Sequence, residues 1–308
     1  MISNNQCDYL LFDISSILYR TFFVHKQEND ETIVGLATHV ALTTLNKYFK
    51  QYKPKKVVMS FDRASWRKEY TASEQCVSKR PYKGNRRKDM SPAQQAKYAR
   101  FLNHLNEFEA LIGQHSTIIS LAADKLESDD LVAGFVQAHP DKQIVIISSD
   151  GDFLQLLKNP NVTLVTPENG KARSLEEYNN NADYFLFFKC IRGDHTTDNI
   201  QSALPNVSTV RIQKAYKDPF EQVKIMKETW RDENKREFMV EKLYKENQLL
   251  IDLEKQPTEI RELITKTIQD AENKPHKFSM FHLMRFLGKY KLEKIAENIV
   301  QFVPLLSR

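Results

Sequence analysis

Five segments in the first two hundred residues end an apolar run, or open a helix, in acidic side chains. They are LLFD at Asp13, VVMSFD at Asp62, LESDDL at Glu127, Asp129 and Asp130, IVIISSDGDF at Asp150 and Asp152, and GDHTTDN at Asp194 and Asp198. Three of these read as strands ending in Asp, and in an open parallel sheet the crevice outside the strand carboxyl ends is where ligands bind. Carboxylates gathered at one edge repel one another, and protonation or bound cations must relieve the repulsion. With this many acids, bound metal is the direct answer, and an oxygen-only donor set selects hard ions such as Mg²⁺ or Mn²⁺.

Each motif also has a plainer reading. Asp13 and Asp62 could cap the turns after their strands, Asp150 and Asp152 the helix starting near Phe153, and Ser128 or Asp129 the helix that follows them. A cap uses one acid per terminus, however, whereas ESDD, DGD and GDHTTD supply two or more. Other acid-rich chemistries fail on spacing. SDGDF lacks the later donors and the closing Glu of an EF-hand loop. A haloacid-dehalogenase-like phosphatase would need an Asp where Ser15 stands. No phosphate-cradling GxxxxGKS/T loop or GxGxxG fingerprint occurs. The histidines are scattered without an HExxH pair, and His195 reads as a bystander.

The elements that must position these acids are legible as alternating strands and helices as far as about residue 200. DYLLFD (8–13), KVVMSFD (56–62), a short segment near 117–120, QIVIISS (143–149) and VTLV (162–165) read as strands. ETIVGLATHVALTTLNKYFKQY (31–52), SPAQQAKYARFLNHLNEFEALIG (91–113) and 128–139 read as helices. Alternation of this kind predicts an α/β fold, a central, mainly parallel sheet flanked by helices. From Arg63 to Met90 the chain is polar, basic and poor in apolar periodicity, which predicts a long functional excursion rather than core. Beyond residue 200 helical periodicity with mixed surface charge predicts an all-helical lobe, 201–308, after the α/β unit, 1–200.

Composition sets the class. At 308 residues, 41% hydrophobic and 28% charged, the chain can bury a sizeable core. No apolar run approaches the ~20 residues of a membrane span, and MISNNQCDYLLFD leads into a strand rather than a signal peptide, so a cytoplasmic location is expected. Cys7, Cys76 and Cys190, widely spaced and odd in number, predict reduced thiols rather than disulfides or a zinc site. The net charge of +5 conceals an uneven distribution: residues 1–200 hold 25 basic and 24 acidic side chains, and with eight or nine of those acids in one cleft the remaining surface is basic. Between Lys79 and Lys88, KRPYKGNRRK holds six basic side chains and no acid, with Tyr82 among them. Such a run could be merely solvated, but an aromatic within a basic run also suits a nucleic-acid strand, phosphates on the cations and a base on the ring.

Taken in order, LLFD, FD with a basic YKGNRR segment, LESDDLVA, IISSDGDF and GDHTTDNI resemble the 5′-nuclease superfamily that includes flap endonucleases and phage 5′-exonucleases, a PIN-like fold. The resemblance spans about residues 8–200. YKENQLLIDLEKQP, at 244–257, resembles the ribonuclease H branch of T-even-type phages. What the resemblance implies is a structure-specific 5′-to-3′ nuclease that removes RNA primers and adjacent DNA in replication, with two Mg²⁺ ions for which Mn²⁺ substitutes. One metal site would be built by Asp13, Asp62, Glu127, Asp129 and Asp150, with Asp130 in or near its shell. The second would be built by Asp152, Asp194 and Asp198. Lys83 and Arg86 would face the scissile phosphate with Tyr82 close by, and the rest of 63–105 would form an arch over single-stranded DNA. Arg80, Arg87 and Lys88 join the nucleic-acid contacts.

Two positions depart from the family pattern. GDHTTDN has one more residue between its acids than the usual GDxxDN, which puts Asp198 in question as a ligand. In ALPNVSTVRIQKAYKD, Asn206 and Ser208 stand where a duplex-binding turn would have glycines. Duplex binding there is expected to rest on side chains such as Arg211 and Lys214. The expected substrates are RNA–DNA hybrid and flap or 5′-overhang duplex DNA. A single-stranded-DNA-binding protein or a sliding clamp would be a partner, with no membrane, for a monomer in the cytoplasm, the host's if the chain is phage-encoded. Competing readings are a PIN-type ribonuclease and a catalytically silent nucleic-acid-binding scaffold.

Overall fold

The computed structural model of the chain describes residues 6–24, 30–86, 91–275 and 277–307. Strands β1 (Tyr9–Asp13), β2 (Lys56–Ser60), β3 (Ile119–Leu121), β4 (Ile144–Ile147) and β5 (Val162–Val165) form one sheet in the order β3-β2-β1-β4-β5, every neighbouring pair parallel. Buried parallel strands read as near-continuous apolar runs, because helices cover both faces. Side chains alternate accordingly. Leu10, Phe12, Val57, Met59, Val145 and Ile147 face one core, whereas Leu11, Val58, Ile144 and Ile146 face the other.

Helices α1 (Ile14–Val24), α2 (Asp30–Tyr52) and α4 (Pro92–His115) cover the first face. Ser91 and Gln94 close a reciprocal capping box at the start of α4, with Pro92 in its first turn. Helix α5 (Ser128–Ala138) covers the second face. The strand order reverses direction about β1, so a crevice opens at its carboxyl end. Registers bring the strand ends level there: Asp13 lies opposite Ser60, and Phe12 opposite Ile147.

Residues 63–86, expected as an excursion, lie down on the body instead. Helix α3 (Trp66–Ala72) buries Trp66, Arg67 and Thr71, and Cys76, Ser78 and Tyr82 are buried beyond it. Hydrophobic periodicity missed this packing because polar contacts, above all those of Arg67, hold it in place.

Past α6 (Ala182–Arg192) come α7 (Thr209–Lys217) and α8 (Pro219–Met226), and then a two-stranded antiparallel ribbon, β6 (Thr229–Arg231) with β7 (Glu237–Met239), that helical periodicity did not anticipate. Asn206 adopts φ +58°, so the turn before α7 does require the left-handed conformation, and Asn supplies it in place of glycine. Helix α9 (Val240–Ile251) follows. The last helices return to the sheet layers. Helix α10 (Thr258–Asn273) packs on α5 so closely that a Cβ at Gly134 would lie 2.2 Å from Ile264. Helices α11 (Met280–Lys289), α12 (Glu293–Glu297) and α13 (Val303–Ser307) join the first core. Among the described residues the three cysteines are free and buried, and no helix is long and apolar enough to cross a membrane.

A histidine is buried at the edge of the first core. His104 of α4 packs against Tyr290, the C-cap of α11, and bonds through Nε2 to Thr38 Oγ1 of α2 (2.5 Å). The Thr38 hydroxyl donates to the Val34 carbonyl (3.1 Å), so His104 must be the donor in the first bond. Its Nδ1 is buried without a partner. Burial pushes the His104 pKa down to about 4 from its ordinary 6.5. The neutral form is the one that folds, so this contribution is fully present above pH 6.5 and lost as pH falls toward 4. It amounts to on the order of 3 kcal/mol. Urea melts at pH 7.5 and pH 5 should show a smaller acid destabilisation for His104→Gln than for the wild-type protein.

Candidate active site

The crevice at the carboxyl edge is a cleft of about 970 Å³ lined by eight carboxylates, Asp13, Asp62, Glu127, Asp129, Asp150, Asp152, Asp194 and Asp198. Five cations share it: Arg63, Lys68, Lys83, Arg86 and Lys189. Acid therefore exceeds base inside the cleft.

Asp13 ends β1 and is nearly fully buried, receiving hydrogen bonds from Ser148 Oγ (3.1 Å) and the Ser16 amide (3.2 Å). Asp62 lies two residues past β2, where the Ser128 amide at the start of α5 donates to its Oδ1 (2.7 Å). The Asp152 amide donates to Asp150 Oδ1 (2.8 Å) in the turn after β4, and Asp152 begins a short 3₁₀ helix, Asp152–Lys158. Burial, aided by Asp62 and Asp150, pushes Asp13 up to about 7, and burial with Glu127 pushes Asp62 up to about 6. Asp129 is held well above the usual carboxylate range by burial and then by Glu127.

The remaining acids already have countercharge. Lys83 Nζ contacts Glu127 Oε1 (2.5 Å) and lies 3.7 Å from Asp198, while Arg86 donates to Asp198 Oδ1 (3.0 Å). Against the effect of burial, Lys83 and Arg67 hold Glu127 down to about 2. Lys189 pairs with Asp152 and approaches Asp194 (3.7 Å). Lys189 escaped sequence reasoning. Its signal is a lysine in the last turn of the helix that delivers the Gly193-Asp194 pair.

Asp130 is not part of the cleft, contrary to expectation. It is fully buried in the first turn of α5, and Arg67, itself 1% exposed, grips both its oxygens at 2.9 Å. The same guanidinium reaches Glu127 (3.3 Å), so the pair sets the position of a cleft acid from behind. A carboxylate with both oxygens engaged by a buried arginine has no edge to offer a metal. Tyr82 is likewise corrected: it is 4% exposed, and its hydroxyl donates to Asp198 Oδ2 (3.3 Å), so its ring cannot receive a base. Tyr19, Phe23 and Tyr98 line the cleft instead, and Phe23 is 51% exposed.

The long last motif is explained locally. Gly193 adopts φ +67° with the Ile200 and Gln201 backbone within 2.7 Å of where a Cβ would stand, and Asp194 forms an antiparallel bridge with Ile200. Asp194 Oδ1 then accepts the amides of Thr197 (2.8 Å) and Asp198 (3.4 Å), which closes the loop. The closed loop places Asp198 against Lys83, Arg86 and Tyr82. His195 lies between Arg80 Nη1 (2.9 Å) and Ser202 Oγ (2.8 Å), a contact that occupies Arg80. Arg211 and Lys214 are exposed on α7, paired with Glu228 and Glu221. Arg87 and Lys88 lie outside the described residues.

An acid-lined cleft at a sheet switch point, rimmed by lysine and arginine, suits an enzyme that handles phosphate esters beside hard cations. Residues 8–184 match the family model described as 5′-3′ exonuclease, N-terminal resolvase-like domain, which is more than half of the chain. The protein therefore belongs to the 5′-3′ exonuclease family and is a nuclease, a hydrolase of phosphodiesters. It is 25% identical to the ribonuclease H of Enterobacteria phage T4 over 95% of both chains. Its fold is similar to that of the T5 D15 protein co-crystallised with metal ions, with a TM-score of 0.63 and 17% identity over 85% of this chain and 98% of that one. It is also similar to T5 5′-exonuclease with divalent zinc bound, with a TM-score of 0.59 and 17% identity over 92% and 98%.

The donor set fits a divalent cation. Asp62 and Asp150 raise the proton affinity of Asp13, Asp150 raises that of Asp62, and all three offer only oxygen. Among the described residues no three acids converge closely enough to hold an ion as they stand, and the Lys83 and Lys189 ammonium groups lie against Glu127 and Asp152. Addition of Mg²⁺ or Mn²⁺ should raise the melting temperature, reversibly with EDTA. Asp62→Asn should melt at or above the wild-type temperature in EDTA, because one repelling charge is gone, yet lose most of the metal-induced shift. A full shift in that variant would remove Asp62 from the ligand set.

Proposed function

We propose that the protein is a structure-specific 5′-to-3′ nuclease of the ribonuclease H and flap endonuclease type, acting on RNA–DNA hybrid and on flap or 5′-overhang duplex DNA. The observation that carries this reading is the cleft itself, where eight carboxylates at the strand ends meet Lys83 and Arg86 from the segment expected as the arch. Asp13, Asp62, Glu127, Asp129 and Asp150 would hold one Mg²⁺, and Asp152 and Asp194 a second, with Asp198 between them and the basic loop. Bound there, the ions would lower the pKa of a water and neutralise charge on the attacking and leaving oxygens.

Lys83 and Arg86 bind the non-bridging oxygens of the scissile phosphate, offsetting the charge that grows there. Arg86, 46% exposed, exchanges Asp198 for the phosphate on substrate binding. Phe23, on the cleft wall, offers the ring face that Tyr82 lacks. Arg80, Arg87 and Lys88 extend the basic track to single-stranded DNA, and Arg211 and Lys214 of α7 hold the duplex backbone. A single-stranded-DNA-binding protein or a sliding clamp would dock on the C-terminal helices of a cytoplasmic monomer.

Incubated with 5′-end-labelled RNA–DNA hybrid or 5′-flap duplex and Mg²⁺, the protein should release short 5′-phosphorylated products, and none in EDTA. Loss of ~10²-fold or more in rate is expected for Lys83→Ala and for Asp152→Asn. Products with 3′-phosphates would rule out the mechanism, and flap binding without cleavage would move the reading to a silent scaffold. Arg211→Ala with Lys214→Ala should weaken duplex binding and lower the slope of log affinity against log salt by about 2. Unchanged duplex affinity would exclude α7 from the interface.

A further inference from the structure

Four segments at the cleft are held from behind by one helix that sends nothing into it. This is α9 with the turn that follows it, the YKENQLLIDLEKQP stretch. Asn247, fully buried, donates to the carbonyls of Cys190 and Gln201 (both 2.8 Å), which flank the loop of Asp194 and Asp198. The Leu250 carbonyl accepts Arg67 Nε (2.7 Å), behind Glu127. Gln155, three residues past Asp152, bonds the Ile251 carbonyl (3.2 Å) and accepts the Leu253 amide (2.9 Å).

Glu246 grips the remaining segment, the basic loop. It is 3% exposed, and its carboxylate accepts the backbone amides of Val77 and Ser78 (the latter 3.0 Å) and the Tyr70 hydroxyl (3.4 Å). A buried carboxylate is costly, and an apolar side chain would pack there more cheaply. What the charge adds is a charge-assisted hold on two consecutive amides. The loop needs such a hold, because Lys79 and Lys83 both adopt φ +55°, a conformation that non-glycine residues keep only when their surroundings impose it. Lys83 and Arg86 follow within the same loop and enter the cleft.

We propose that Glu246 is a positioning residue for cleavage, setting the loop 76–86 so that Lys83 and Arg86 stand over the acid cluster. The proposal rests on the reading of Lys83 as the cation that faces the scissile phosphate. Glu246→Gln keeps the size and one acceptor but turns an N–H toward one of the two amides.

Single-turnover cleavage of a 5′-flap duplex with Mg²⁺ tests it in the full chain, comparing wild type, Glu246→Gln, Lys83→Ala and the double variant, with thermal melts and flap affinity measured alongside. Glu246→Gln should cleave roughly 10- to 100-fold more slowly while its flap affinity stays near wild type, as for a displaced reacting group. On the Lys83→Ala background the same change should cost less than about two-fold, since groups that act through one another are not additive. Equal losses in both backgrounds, no loss at all, or a Glu246→Gln protein that fails to fold would each overturn the proposal. If wild type does not cleave, or Lys83→Ala cleaves as fast as wild type, it is the underlying reading of the cleft that fails.

Discussion

Like-charge repulsion at one edge of the sheet is the constraint that the rest of the structure answers to. Eight carboxylates share a single cleft, and Asp13, at the end of a strand buried on both faces, cannot turn away to solvent. The chain meets the repulsion in two ways. Glu127, Asp152, Asp194 and Asp198 receive Lys83, Arg86 and Lys189, cations from the basic loop and from α6. Asp13, Asp62 and Asp150 face one another, and the first two hold their protons to near neutral pH. That second group is where a divalent cation does the most to relieve the strain.

Countercharge of this kind works only if the side chains are held at fixed distances, and the fold achieves that with polar rather than apolar contacts. Arg67 spans Glu127, Asp130 and the Leu250 carbonyl from a position 1% exposed. Removing one member of such a group leaves an uncompensated buried charge, which is strongly destabilising. The basic loop, the last acidic loop and the turn after β4 are each tied to α9 in the same manner. The ordered cleft thus depends on residues 246–253, far along the chain from any acid in it.

The extra residue in GDHTTDN illustrates how a local constraint redirects a side chain. Asp194 uses its own carboxylate to cap the Thr197 and Asp198 amides, and the bridge to Ile200 leaves no slack. Asp198 is thereby committed to the basic loop. The turn before α7 shows the converse, since Asn206 takes a glycine's conformation and the local geometry survives the substitution.

By itself the sequence determined the parallel sheet, the acids at its carboxyl edge and the family. Short-range pattern carries all three: strand-length apolar runs such as IVII, the aspartates that follow them, and motif order along the chain. Only the tertiary structure decided which acids share a cleft, and it removed Asp130 and Tyr82 from it. The first change traces to Arg67, a side chain that periodicity places on a solvated excursion and that three-dimensional packing buries against two acids distant in sequence; the second traces to the burial of Tyr82 with its hydroxyl on Asp198. Lys189 and Glu246 were illegible for the same reason. Pairing between charges dozens to hundreds of residues apart leaves no period in a sequence, and it is settled only when the folded chain brings them to within hydrogen-bonding distance.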